Sequence, residues 1–195
     1  MNAGELNEQI SVLELQQIGI VCGWNVKRVM FGKVEKLNKT NLFSQVGIGV
    51  KSVKFTVRKQ DLSLFNAFRW KGDFYFLTDI VEIKRMYYEV TAARIEPKIC
   101  TVTRITVTKN ERKNPVKRKE ILLTFPGCLV EKYMGYAQQK PQAVSEIQYV
   151  LVTPKAVALK LADLVEIEGV TYNVQIAHTL DQYKNEYEIL VQKDV

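Results

Sequence analysis

The chain has 195 residues and a mass of 22.4 kDa; it is 47% hydrophobic and carries 28 Lys and Arg against 21 Asp and Glu, a formal charge of +7. That length allows one large core or two small ones of about 97 residues, and a positive excess spread along the chain suits solubility or contact with an anion without indicating specific nucleic-acid recognition. Three cysteines without CxxC spacing and one histidine argue against a disulfide scaffold or a zinc site. No stretch approaches the roughly twenty apolar residues that span a bilayer, so a protein folded in a reducing cytoplasm, with no membrane contact, is expected.

Residues 10–18 read as a first strand, with Gly19 and Gly23 bracketing a turn before Trp24. Residues 26–39 alternate Val29, Phe31 and Val34 against Lys27, Arg28, Lys33 and Lys36, close to the period of two of a strand with one wet face, with Gly32 as a natural bulge. The uncharged stretch from Asn41 to Val50, with Leu42, Phe43, Ser44, Gln45, Val46, Gly47, Ile48 and Gly49 between, reads as a loop interrupting a hairpin. Residues 51–59 form the clearest strand of the first half, and residues 61–66 a connection. Residues 68–76 read as a strand, a Lys71-Gly72-Asp73 turn and a returning strand, and residues 87–95 close the unit before Pro97.

The β-branched run 101–108 opens the second half and leads into 110–120, where five basic residues and a proline leave almost nothing to bury. That segment reads as a solvated loop or hairpin tip, either decoration or a contact arm built on Arg112, Lys113, Lys117, Arg118 and Lys119. Residues 121–125 return as a strand, Pro126-Gly127 turns, 133–145 connect, and short strands follow at 147–152, 157–161, 164–167, 171–176 and 186–191. Only residues 4–9, 61–67 and 129–137 offer a turn or two of helix.

Residues 51–97 recur at 147–195. An offset of 97 sets Val53, Phe55 and Arg58 on Val150, Val152 and Lys155, Gly72 on Gly169 and Tyr75 on Tyr172; two further positions bring Tyr88, Glu89 and Val90 onto Tyr187, Glu188 and Ile189. A fixed internal offset is the trace of a duplicated unit. The expected fold is all-β: two tandem small β barrels or sandwiches, residues 1–97 and 98–195, with long hairpin loops and little helix.

The sequence holds no GxSxG, GxxxxGK, dinucleotide glycine fingerprint or HExxH. His178 past a strand reads as a loop histidine bonded to backbone, and Asp61, Asp73, Asp79 and Asp163 as turn-closing acids, so neither an enzyme nor a metal or cofactor site is expected. Lys33, Lys36, Lys39, Lys51 and Lys54 flank the 41–50 loop; they are either the wet face of a sheet or a lining for a polyanion. Phe55, Phe74, Tyr75, Phe76, Tyr87 and Tyr88 either pack the core or stack bases as in OB-folds.

The order of features in residues 3–97, namely GELNEQISVLE, Trp24-Asn25, FGKVEKL, a loop, VKFTVRK and FRWKGDFYFLTDIVEIKRMYYEVTAARIE, resembles the head-to-tail joining proteins of tailed bacteriophages, the head-completion or stopper proteins. Gly4, Leu6, Ile10, Trp24, Phe31, Val34, Phe55, Arg58, Trp70, Gly72, Tyr75, Ile80, Tyr88 and Glu89 carry it. The resemblance implies a β barrel assembled as a homo-oligomeric ring of about six to twelve copies at the head-tail junction of the virion. It further implies a portal or adaptor protein and tail or other neck rings as partners, with packaged double-stranded DNA held non-specifically. The hairpin loop pointing into the channel corresponds to Asn41–Val50, with Lys33, Lys36, Lys39 and Lys51 facing the DNA. The chain is about twice the length such a barrel needs, and its second half is similar to a further copy. Alternatives are a tail-side terminator or completion ring, and an OB-like nucleic-acid-binding module.

Overall fold

The computed structural model describes residues 3–37, 40–41, 49–109, 113–131, 149–179 and 181–192. Beyond a 3-10 turn at Ala3–Glu5, its regular structure is all β, the class expected from the sequence. The strands are β1 (Glu8–Ile18), β2 (Val21–Lys36), β3 (Thr40–Asn41), β4 (Gly49–Val50), β5 (Ser52–Arg58), β6 (Ala67–Trp70), β7 (Asp73–Ile83) and β8 (Tyr87–Ile95), then β9 (Lys98–Lys109), β10 (Pro115–Glu131), β11 (Tyr149–Pro154), β12 (Leu164–Ile167), β13 (Val170–His178) and β14 (Lys184–Val191). They form two compact units: residues 1–16 with 24–97, and residues 17–23 with 98–195.

In unit 1 the hydrogen-bonded order is β1-β6-β7-β8-β5-β2, and β2 pairs back with β1, so the pairings close a circuit of six strands. Closure removes exposed edges from the paired stretches. The inward positions alternate as a strand dictates: Val53, Phe55 and Val57 on β5, Phe68 on β6, Tyr75 and Leu77 on β7 and Val90 and Ala92 on β8 are all buried. Phe55 is the hub, meeting Phe68 edge-on at 5.2 Å, Tyr75 at 5.4 Å and Trp70 at 6.1 Å. Its complete burial contributes on the order of 2–3 kcal/mol from transfer alone.

In unit 2 the order is β9-β10-β11-β14-β13-β12, and β9 also pairs with β12, closing six strands in the same sequence of connections as unit 1. The correspondence extends to local devices. Trp70 and Ile167 each end a strand before a two-residue turn in which both residues have positive φ, Lys71 and Gly72 (51° and 87°) against Glu168 and Gly169 (51° and 81°). This is the hairpin turn whose twist matches its flanking strands. A bulge between Leu77 and Asp79 recurs between Val174 and Ile176, again 97 residues on. Before β6 and β12, Asn66 and Asp163 close the same turn, accepting from Ser63 N at 3.0 Å and Lys160 N at 2.8 Å.

Glycine marks a further shared point. An added Cβ on Gly32 would lie 2.8 Å from Ile10 Cδ1 and 2.9 Å from the Thr56 carbonyl; on Gly127 it would lie 2.8 Å from Leu151 Cδ1 and 3.0 Å from Cys100 Sγ. Strand register makes Ile10 and Cys100 counterparts, since Val12 pairs with Phe68 as Val102 pairs with Val165. Gly32 and Gly127 are therefore equivalent positions where a Cβ would crowd its neighbours, a strand carbonyl and side chains at Gly32 and side chains alone at Gly127.

The register moves part of the expected repeat. β8 and β14 match at an offset of 97 through β7 and β13, which sets Val90 on Tyr187 and Tyr88 on Asn185, two positions from the sequence alignment. β5 and β11 match at 96, Phe55 on Leu151, because Phe55 pairs with Val90 as Leu151 pairs with Tyr187.

Other sequence expectations are corrected. The first turn is at Gly19-Ile20, with Gly23 inside β2. Pro126-Gly127 does not turn but lies within β10, and residues 115–120 are strand paired to β9. Residues 157–161 form a loop, held by Tyr187 Oη donating to Val157 O at 3.1 Å and accepting from Leu159 N at 3.0 Å. No helix forms at 61–67, residues 129–131 are strand, and residues 132–148 lie outside the described residues.

Candidate functional site

The lysines expected to face DNA occupy the β2–β5 pair. β5 puts Val53, Phe55 and Val57 inward, so Lys54 points out; on β2 the inward Val34 leaves Lys33 and Glu35 out. Register sets Glu35 opposite Lys54 and Lys33 opposite Thr56. Lys33 Nζ lies 2.7 Å from Glu35 Oε1, and Lys54 Nζ 3.1 Å from Glu89 Oε1. The hydrogen bond to Glu35 holds the Lys33 ammonium above its ordinary pKa and the Glu35 carboxyl below its own. The outward face is thus a mosaic of alternating charge, and exposed Lys36 and Lys51 stand toward the strand ends.

Lys51 lines an open groove of about 600 Å³ with Gly72, Asp73, Phe74 and Arg94, where Arg94 Nη2 binds Asp73 Oδ1 at 2.7 Å. Lys39 and residues 42–48 of the expected channel loop lie outside the described residues. The ends of that loop pair, Thr40 with Val50 and Asn41 with Gly49. Of the aromatics considered for base stacking, Phe55, Tyr75 and Phe76 are buried and serve packing; Phe74, Tyr87 and Tyr88 are partly exposed.

The second charged feature is the far part of the β9–β10 hairpin. Its ladder runs from Thr103 opposite Ile121 to Lys109 opposite Pro115, and residues 115–121 are exposed throughout. One face carries the cross-strand pairs Ile105–Lys119 and Val107–Lys117; the other carries Thr106–Arg118 and Thr108–Val116. Lys117, Arg118 and Lys119 of the expected contact arm therefore stand on a paired ribbon and not on a loop; Lys113 follows with positive φ, and Arg112 lies outside the described residues. The ribbon is anchored by Arg104, whose Nε and Nη2 reach Asp163 Oδ1 and Oδ2 at 2.7 and 2.8 Å. Asp163 is buried, and its two-point bond to Arg104 is the geometry that makes such pairs strong.

His178 ends β13 and bonds a side chain, not backbone: its Nε2 is 2.9 Å from Glu188 Oε1. Across the ladder Glu186 is buried, its pKa raised by desolvation, and one of its oxygens has no hydrogen-bond partner among the described residues. Burial also brings the Lys184 ammonium down to about 8, against the attraction of Asp181. No hydroxyl or thiol nucleophile is bonded to His178, and among the described residues no group of three or more His, Cys, Asp and Glu is placed to hold a metal ion. Cys22, Cys100 and Cys128 are buried thiols outside any disulfide, Cys100 with a pKa raised to about 12 by desolvation. Among the described residues no helix is long and apolar enough to cross a membrane.

Sequence reading found the lysines and the arm because both are dense in charge. It missed the neutralising acids Glu35 and Glu89, which become neighbours only through strand register. No family model, curated protein or solved structure matches the chain.

Proposed function

We propose that the chain is a structural component of a tailed-phage virion neck, a head-tail connector that joins the portal complex to the tail and helps retain packaged DNA. The observation that carries this reading is the architecture: two units of one strand order, read here as two small barrels, each extending a long hairpin beyond the pairings that close it. Such a chain offers surfaces to neighbours on either side, which is what heterologous contacts in a ring require. The motifs of residues 3–97 supply the identification with the neck. Lys36 and Lys51, at the base of the 41–50 loop, suit a sequence-independent, salt-sensitive attraction for phosphate; Lys33 and Lys54, already paired, contribute less to it.

Immunogold labelling of virions with antibody to the purified chain tests the proposal. Gold at the vertex joining head and tail is expected; gold along or at the far end of the tail supports the tail-side ring instead, and unlabelled virions overturn both. The basic β9–β10 ribbon favours one second reading, a nucleic-acid-binding module. That reading requires the free chain to bind single strands tightly, with affinity falling steeply as salt rises.

A further inference from the structure

Unit 2 is not made from one continuous stretch. It takes in residues 17–23, the turn of the β1–β2 hairpin: Thr124 N donates to Ile20 O at 2.7 Å, and Val21 lies parallel to Thr124 on β10. Thr124 sits where β10 is bonded to β9 but not yet to β11, which begins to pair at Cys128. A hairpin tip therefore fills the vacant side of β10. By the same division unit 1, residues 1–16 and 24–97, takes in no segment of residues 98–195.

The register equivalences locate the matching place on unit 1. Gly32 corresponds to Gly127, so Thr124 corresponds to Val29. There β2 is in the same situation, since β5 pairs with it only from Gly32 onward. The vacant stretch is apolar and exposed: Val26 is 47% exposed, Val29 49% and Phe31 57%. Beside it an open groove of about 420 Å³ is lined by Leu6, Met30, Phe31, Arg58 and Gln60. The same stretch holds two buried donors, Trp24 Nε1 and Arg28 Nε, with no acceptor among the described residues.

The equivalences also identify the element that would fill it. The counterpart of the β1–β2 hairpin is β9–β10, since Val12 matches Val102 and Gly32 matches Gly127. Its far part exposes Ile105, Val107 and Ile121 on a two-stranded ribbon. A ribbon this long with neither face covered is marginal by itself.

We propose that the β9–β10 hairpin of one copy of this chain seats on the β2 edge around Val29 of the next copy, repeating for unit 1 what residues 17–23 do for unit 2. Copies then join head to tail by strand addition, a heterologous contact that propagates until it closes. The inference deepens the ring reading given above by naming its two surfaces. A second copy suits the ribbon better than a polyanion because phosphate contact uses the lysines and leaves the exposed Ile105, Val107 and Ile121 unexplained. Asp61, 85% exposed and joined to the same stretch through Lys27 and Arg28, offers the ribbon's lysines an opposite charge.

Complementation tests it with the full-length chain. Two variants are made, Ile105→Glu with Val107→Glu on the ribbon, and Val29→Glu with Phe31→Glu on the edge; all four residues are exposed, so wild-type circular dichroism is expected. Light scattering should give a wild-type mass that rises with concentration, two monomeric variants, and a 1:1 mixture that forms a heterodimer, because each variant keeps the surface the other lacks. The proposal is overturned by a wild type that stays monomeric up to about 1 mM, by variants that keep the wild-type mass, or by a mixture that stays monomeric. If the variants fail this test while gold still marks the head-tail vertex, the interface is wrong and the neck assignment stands.

Discussion

Unit 1 and unit 2 follow the same circuit of strands around different interiors. Unit 1 is centred on aromatic rings, Phe55 against Phe68, Trp70 and Tyr75. Unit 2 is mainly aliphatic, with Leu151, Val165 and Ile189 around Tyr187, whose hydroxyl ties down the 157–159 loop. What the two retain is a set of backbone constraints: a glycine at the strand crossing, a turn with two positive φ angles, a bulge and an Asx-closed loop. Side-chain volume can be redistributed within a core as long as the pattern holds, whereas a Cβ against a carbonyl cannot be. The comparison teaches that this fold is specified more by where the chain must bend or cross than by which apolar residues fill it.

The largest effect should come from removing the hub that unit 2 lacks. Phe55→Ala is expected to cost about 3–5 kcal/mol in denaturant unfolding, more than Leu151→Ala at the equivalent position. Next come the crossing glycines. Gly32→Ala sets a methyl against the Thr56 carbonyl and should cost about 2–3 kcal/mol; Gly127→Ala meets only side-chain atoms of Leu151, Cys100 and Phe125 and should cost about 1 kcal/mol. Equal costs at the two positions would count against their differing freedom to relax.

Asp163→Asn carries the solution of unit 1, where Asn66 closes the same turn, into unit 2. It keeps the bond from Lys160 N but removes the carboxylate opposite Arg104, for an expected loss of about 1–2 kcal/mol, while Asp163→Ala, losing both, should cost about 3 kcal/mol. Tyr187→Phe should cost about 1–2 kcal/mol and speed amide exchange at Leu159, whose N–H loses its acceptor.

A further effect is a pH dependence from Lys184 in unit 2. Lys184 has its folded pKa near 8, below the ordinary 10.5, so at alkaline pH the unfolded chain holds a proton that the folded one has released. Stability from this group therefore rises as pH climbs from about 8 to about 10.5, by on the order of 1–3 kcal/mol. Comparing wild type with Lys184→Met across that range cancels the other groups; a difference that stays flat, or favours the methionine variant as pH rises, contradicts the assignment.

Much of this was readable from the sequence where the signal was local. The 68–76 hairpin and the strand at 164–167 followed from glycine turns and short alternating runs, because the residues that decide them lie within a few positions of each other. Pro126-Gly127 misled because the same dipeptide that favours a turn also serves a strand needing no Cβ at a crossing, and only Cys100 and Leu151, remote in sequence, decide between the two. Register explains the other misses. A slip of one in β11 and two in β14 left the repeat recognisable but misassigned Tyr187, and the pairing of Lys54 with Glu89 depends on which residues face each other across strands. That residues 17–23 belong with the second unit carries no local mark at all.

Two of the buried thiols, Cys22 and Cys100, give the molecule a built-in record of its own opening. Thiol chemistry proceeds through the thiolate, and burial raises the Cys100 pKa to about 12 and moves that of Cys22 upward too, so folding disfavours the reactive form at both. Any alkylation that does occur reports a transient exposure, and the two sites time different events. Cys22 lies in the hairpin tip that completes unit 2, whereas Cys100 sits at that unit's strand crossing. Labelling at Cys22 that runs ahead of labelling at Cys100 would measure how often the tip lifts away while the rest of the unit stays closed.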